Sequence, residues 1–311
     1  MWKTLFGSVT LAAALRMASP LLLSAVGGSF NNRAGTLNIA HEAFMLVGAF
    51  FAAYGSYLTS NPYVGALMAM GAGLIMSLIY GVFVFHVGGH PMVISIALNL
   101  GASGFSAMML YVLFHTRGSL VSSRIESFPR IDLPLIKDIP VLGDFLSGQI
   151  LLVYIAILII IVAYIVMYKT PYGLHIRSIG MNAKAAQTAG INVLRYKWSA
   201  NIISGLMDGL AGAFLPLCGL SMFTEDMTSG RGFLAVAAIL IGQGNPARVA
   251  IPCFVFGYAT ALTISLQNMG IASQIIELLP YLATVLVLII SSMKNVKIRA
   301  SGKNRLRATQ R

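Results

Sequence analysis

The chain has 311 residues, of which 57% are hydrophobic and 10% charged, and its formal net charge is +12. Water-soluble domains carry about a quarter charged residues, so this composition excludes an ordinary soluble protein and indicates an all-α, polytopic helical membrane protein. Nucleic acid does not account for the positive charge: seven of the 21 Lys and Arg residues (Lys294, Lys297, Arg299, Lys303, Arg305, Arg307 and Arg311) fall in the last eighteen residues, directly behind an apolar run.

A crossing helix needs about 20 mainly apolar residues. In chain order, the runs that meet or approach this are 5–28, 38–58, 63–86, 92–115, 150–168, 199–222, 232–243, 249–268 and 275–292. Lys3 precedes the first, but Arg16 interrupts it and apolar sequence follows, so it reads as a span rather than a signal peptide. The run 232–243 is too short to cross as a regular helix. It is bracketed by Gly230-Arg231-Gly232 and by Gly242-Gln243-Gly244-Asn245-Pro246. Such punctuation predicts broken or re-entrant helices, which lipid tolerates only when protein or water shields them. Eight or nine crossings are expected.

Loop charge sets the orientation. Residues 169–198 hold Lys169, Arg177, Lys184, Arg195 and Lys197 and no acid. In loop 116–148, Arg117, Arg124, Arg130 and Lys137 are balanced by Glu126, Asp132, Asp138 and Asp144. The first segment and the basic tail 294–311 are therefore expected in the cytoplasm, where the tail faces anionic membrane lipid. Loop 116–148 is expected outside, as a small cap or an irregular connector, and counting back puts the N-terminus outside. The division is a transmembrane domain, 1–293, followed by the tail.

The segment "RSIGMNAKAAQTAGINVLRYKW" (177–198) is too polar to enter the membrane. Asn182 is placed to cap a helix, Ala183 to Ala189 supply two turns, and Gly190 stops it. Ala185, Ala186 and Ala189 share one small, nearly flat face, which suits docking of a soluble partner; the alternative is a surface helix that only spaces two spans.

Polar groups within apolar runs usually face a cavity or a partner. Arg33 and Gly35 precede the second run, and Asn38, His41 and Glu42 open it. Glu42 is favoured by its helix dipole, and His41 beside it suggests a pH-sensitive pair. Asn99 bridges helices or lines a pathway. Asp208, among Gly205, Gly209 and Gly212, lies on a small-residue packing face, either paired or exposed to water. Arg231 touches solute, binds a receptor, or pairs with Glu225 or Asp226. Gln267 and Asn268 add hydrogen-bonding capacity, and Glu277 is a helix-end charge. The candidate pathway set is Asn38, Glu42, Asn99, Asp208, Arg231 and Asn268. Amides outnumber charges in it, which favours a neutral hydroxylated solute.

Several chemistries lack their motifs. Gly302-Lys303 is followed by Asn304 and lacks the upstream Gly of a phosphate loop. His86 and His90 in "HVGGHP" sit in a poor helix, so no metal site is expected. Cys218 and Cys253 read as small buried residues. No enzyme and no cofactor are expected in this chain.

Five segments carry a resemblance: "ASPLLLSAVGGSFNNRAGTLNIAHEAFMLVGAF" (18–50), "IALNLGASGF" (96–105), "YGLHIRSIGMNAKAAQTAGIN" (172–192), "ISGLMDGLAGAF" (203–214) and "GRGFLAVAAILIGQGNP" (230–246). In this order and spacing, over about 15–292, the chain resembles the membrane subunits of ATP-binding-cassette importers of the ribose and branched-chain amino acid permease type. The simple-sugar and nucleoside branch is the closer match. The segment containing Gly180, Asn182, Lys184, Ala185, Ala186, Ala189, Gly190 and Ile191 then resembles the coupling helix that sits in a groove of the ATPase. The pattern N-I-G-x-E-G-x-M-L is matched at Asn38, Ile39, Glu42, Met45 and Leu46. The chain departs from it at Ala40, His41 and Ala43, and Ser95 stands where Gly is usual. The resemblance implies a permease subunit forming half of a pathway for nucleosides or simple sugars in the bacterial cytoplasmic (inner) membrane. Its implied partners are an ATPase subunit that uses the ATP, a second permease of different sequence and a substrate-binding lipoprotein. A rival reading is an ion-gradient-driven transporter with Glu42 and Asp208 as proton or sodium sites.

Overall fold

The computed structural model describes residues 8–131, 147–219 and 221–267. The expected span 275–292, the tail 294–311 and Asn268 lie outside them. The helices are α1 (Ser8–Arg33), α2 (His41–Thr59), α3 (Pro62–Gly81), α4 (Pro91–Phe114), α5 (Leu151–Lys169), α6 (Pro171–Met181), α7 (Ala183–Thr188), α8 (Val193–Leu217), α9 (Arg231–Ile241) and α10 (Pro246–Gln267). A π-helical turn, Val82–His86, extends α3. Among the described residues six helices are long and apolar enough to cross a membrane: α1, α3 with its π turn, α4, α5, α8 and α10. The protein is an all-α, multi-pass membrane protein.

Local chemistry sets the helix starts. Proline opens α3, α4, α6 and α10, where its missing N–H costs nothing. Side-chain caps accept first-turn amides: Asn61 from Tyr63, Thr170 from Gly173, Asn192 from Arg195 and Asn245 from Ala247. The Asn192 cap moves the start of α8 to Val193, six residues before the apolar run expected from 199.

The centre of the molecule is α8, packed against α1, α2 and α3. Its glycines make this possible, as the small-residue face predicted. A Cβ on Gly209 would strike the Ala69 carbonyl, and one on Gly212 the Met45 carbonyl. The spanning stretches of α1 and α8 are 78% buried, whereas that of α4 is 22% buried.

Two elements differ from regular crossings. The run 232–243 becomes the eleven-residue α9, short as expected. The run expected over 38–58 is helical only from His41 and is absent from the six spanning helices. His41 lies within 3.5 Å of Ser24, nine residues before the end of α1, or about 14 Å along its axis. Residues 34–40 therefore run back into the bundle as non-helical chain.

At the opposite end from α6 and α7, the described part of loop 116–148 forms two short antiparallel ribbons. β1 (Ser119–Val121) pairs with β4 (Met222–Thr224), and β2 (Arg130–Ile131) with β3 (Gln149–Ile150).

Candidate functional site

Asp208 is fully buried and His41 is 1% exposed. Nδ1 of His41 is 2.8 Å from Oδ2 of Asp208. Ser24 donates to Oδ1 at 2.5 Å and Ser204 to Oδ2 at 3.3 Å. One carboxylate thus joins α1, α2 and α8. The imidazole has room because Gly28 lies against its Cε1 and Nε2, where any Cβ would collide. A buried carboxylate is tolerated when paired and hydrogen-bonded, so Asp208 is the paired alternative. The partner of His41 is Asp208, 167 positions away, rather than its neighbour Glu42.

Glu42 faces a different helix. It stands in the first turn of α2, but its Oε1 accepts from the Gly230 amide at 2.8 Å and its Oε2 from the Gly232 amide at 2.6 Å. These belong to the exposed donors that open α9, whose positive dipole end favours a carboxylate. Gly230 has φ +80°, and a Cβ on Gly232 would enter the Glu42 backbone. Both positions therefore require glycine, and Glu42 locks the half-helix α9 to α2.

Residues 36–40 carry backbone groups into an apolar bundle, where each needs a partner. The Thr36 amide donates to the Asn31 carbonyl and the Phe44 amide to the Ala40 carbonyl. The Ala40 amide donates to Asn38 Oδ1 at 2.8 Å and the Ile39 amide to Ser95 Oγ at 3.1 Å. Asn99 uses both ends of its amide: Nδ2 donates to the Ile39 carbonyl at 3.2 Å and Oδ1 accepts from the Ala43 amide at 3.0 Å. Ala40 has no side chain to cap α2, and Asn99 supplies that cap from α4. Of its two expected roles, Asn99 performs the helix bridge. Ser95 uses its hydroxyl where glycine is usual in the resembled pattern.

Arg231 donates from Nη1 to the Met227 and Thr228 carbonyls, both at 3.1 Å. Glu225 accepts from the Gly118 amide and Asp226 from Ser103. With Arg16 and Arg130, Arg231 also borders a cavity of about 440 Å³. Five of the six expected pathway residues, Asn38, Glu42, Asn99, Asp208 and Arg231, therefore converge on the start of α2 and the start of α9. Sequence reasoning missed Ser24 and Ser204, which complete this seam, and singled out Ser95 only as a departure from the resembled pattern. The available signal was a histidine and an aspartate in apolar runs, which invites pairing.

At the other end, α7 follows its expected form. Asn182 Oδ1 accepts from the Ala185 amide at 3.1 Å, and Gly190 leaves the helix at φ +82°. Lys184, Ala185, Ala189 and Gly190 are exposed and Ile191 is half-buried. Two residues of the expected coupling set are packed against the bundle. Ala186 is 5% exposed, because in so short a helix one alanine must anchor it to the bundle. Gly180 packs on the turn after α1, where a Cβ would strike the Arg33 carbonyl. Arg33 continues that contact, donating to the Gly244 carbonyl at 3.1 Å and to the Tyr168 hydroxyl at 3.2 Å. Among the described residues no group of three metal-ligating side chains occurs.

A solved transporter shares the overall arrangement of helices. The solved inward-facing conformation of a transporter assigned to the metal-chelate type of ABC transporters superposes with a TM-score of 0.51 at 13% identity, covering 92% of this chain and 85% of that one. The nucleoside ABC transporter permease protein NupC of Lactococcus lactis subsp. cremoris (strain MG1363) is 30% identical over 311 residues, 96% of this chain and 97% of its own. The guanosine ABC transporter permease protein NupQ of Bacillus subtilis (strain 168) is 33% identical over 293 residues, 90% of this chain and 91% of its own. The family described as branched-chain amino acid transport system / permease component matches residues 10–291, and the chain belongs to that family.

Proposed function

We propose that this permease forms half of the pathway of an ATP-driven importer of nucleosides, with simple sugars as the next solute class. ATP is used by a separate ATPase subunit docked on α7. A second permease of different sequence supplies the other half of the pathway, and a substrate-binding lipoprotein delivers the solute. The setting is a bacterial cytoplasmic membrane with α6 and α7 inside. Asn38, Glu42, Asn99, Asp208 and Arg231 shape the pathway by holding α2 and α9 rather than by binding solute directly; Asn268 completes the proposed set.

The observation that carries this reading is α7 itself. It is capped at both ends by its own chain and presents exposed Ala185 and Ala189 beside Lys184, a smooth surface that a protein partner can approach closely. The nucleoside class is supported by the likeness to NupC and NupQ over nearly the full chain. The gradient-driven rival requires a carboxylate free to take a proton or sodium. Its two candidates already accept from Ser24, Ser204, Gly230 and Gly232, with His41 against Asp208.

The test is uptake of radiolabelled guanosine into proteoliposomes holding this chain with its co-purifying subunits. Uptake that needs lumenal ATP and survives proton and sodium ionophores supports the importer. Uptake without ATP that ionophores abolish supports the rival.

A further inference from the structure

A cavity of about 750 Å³ opens beside α7, between the turn after α1, the end of α3 and the α7–α8 connection. Its walls include Thr36, Phe85, Gln187, Ile191, Leu194 and Lys197. This volume suits a small-molecule site, as does a lining in which apolar walls alternate with a few polar groups.

The second observation is a buried hydroxyl without a partner on that wall. Among the described residues four buried side-chain polar atoms find no hydrogen bond in the protein: Asn31 Oδ1, Thr36 Oγ1, Asn38 Nδ2 and Thr116 Oγ1. Three of the four lie within the eight residues 31–38. Thr36, 4% exposed, stands on the cavity wall. Asn31 is joined to it through the Asn31 carbonyl and the Thr36 amide, and Asn38 follows two residues on. Buried polar atoms are almost always satisfied, and exceptions call for a cause. Of these residues Thr36 stands on the cavity wall, and its unpartnered hydroxyl matches a hydroxylated solute.

We propose that this cavity is a binding site for the transported solute at the α6–α7 end, from which the solute leaves. This rests on the importer reading above, and the solute class is a neutral, hydroxylated molecule with a flat or apolar face, such as a nucleoside. Phe85 and Leu194 offer apolar wall, and Thr36 and Gln187 offer hydrogen bonds. The site shares Gln187 and Gly190–Leu194 with the flank of α7. Solute accumulating on that side therefore biases the connection that a docked ATPase would move, and slows further uptake.

The experiment uses the full complex in proteoliposomes with lumenal ATP, external receptor and increasing lumenal guanosine. Wild-type uptake is expected to fall as lumenal guanosine rises. Thr36→Val, which keeps the volume and removes the hydroxyl, should raise the half-inhibiting concentration about threefold to tenfold, the worth of one hydrogen bond. Its melting temperature should be equal or higher, because the hydroxyl has no partner to lose. Thr36→Ser should restore sensitivity, and Val84→Trp, which fills the cavity, should abolish it. Uptake indifferent to lumenal guanosine, or an unchanged half-inhibiting concentration in both Thr36→Val and Val84→Trp, overturns the site and leaves the importer standing. Absence of any ATP-dependent guanosine uptake in the wild type overturns the nucleoside reading, and the assigned ligand with it.

Discussion

The seam around Asp208 and the helix α7 are both small- and polar-residue segments in an apolar chain, yet their fates are opposite. In the seam every carboxylate oxygen is taken by a partner from another element: Ser24 and His41 for Asp208, with Ser204 added from its own helix, and the Gly230 and Gly232 amides for Glu42. In α7 the polar groups are satisfied locally, by Asn182 and the turn at Gly190, and the surface stays open. Buried polar groups spend their hydrogen-bonding capacity on holding the bundle together. Exposed ones, once capped, leave a surface for something outside the chain. Substitutions should therefore affect stability in the seam and coupling at α7.

The largest expected effect is Asp208→Ala, which leaves His41 buried without its partner and should destabilise the protein by about 3–5 kcal/mol. Thermal unfolding in mild detergent measures it. The comparison breaks if the variant melts normally but loses transport, since that would make Asp208 an ion site. Pairing Asp208→Leu with His41→Leu should recover part of the loss, because no buried imidazole is left without its partner, while Ser24 and Ser204 still lose their acceptor.

Next is Glu42→Ala, which strips two amides at the start of α9 of their acceptor. Each orphaned donor costs about 1–3 kcal/mol, and α9 should become the first helix to exchange its amide hydrogens. Glu42→Gln keeps one acceptor and should lie between. An unchanged exchange rate in α9 would remove Glu42 as its anchor. A smaller effect belongs to Asn99→Ala: loss of the α2 cap should cost about 1 kcal/mol, read as a modest fall in melting temperature.

The smallest stability effect with the largest functional one is expected at α7. Its two alanine faces sharpen the comparison, since Ala186→Trp must disrupt a buried contact whereas Ala189→Trp meets open space. The first should lower stability, and the second should leave the melting temperature unchanged.

Elements governed by local rules were legible in the sequence. The Asn182 cap, the Gly190 stop, the shortness of α9 and the glycine face of α8 all follow from residues within a few positions of one another. The seam was legible only as an inventory. His41 and Asp208 meet across 167 positions, and Glu42 and Gly232 across 190; periodicity carries no information at that range. Hydropathy also concealed the last part of the break, 38–40, because Ile39 and Ala40 look like the start of a span. The chain avoids helix there because Ser95 and Asn99, from α4, bond its backbone instead.

The central claim is that α7 is the contact through which ATP hydrolysis reaches the spans. The most direct measurement is receptor-stimulated ATP hydrolysis together with guanosine uptake in reconstituted complexes carrying Ala189→Trp. The account predicts a stably folded protein whose uptake falls at least about tenfold, equivalent to roughly 1.4 kcal/mol, and whose hydrolysis no longer responds to the receptor. Normal uptake and normal stimulation, with tryptophan on that exposed face, would contradict it.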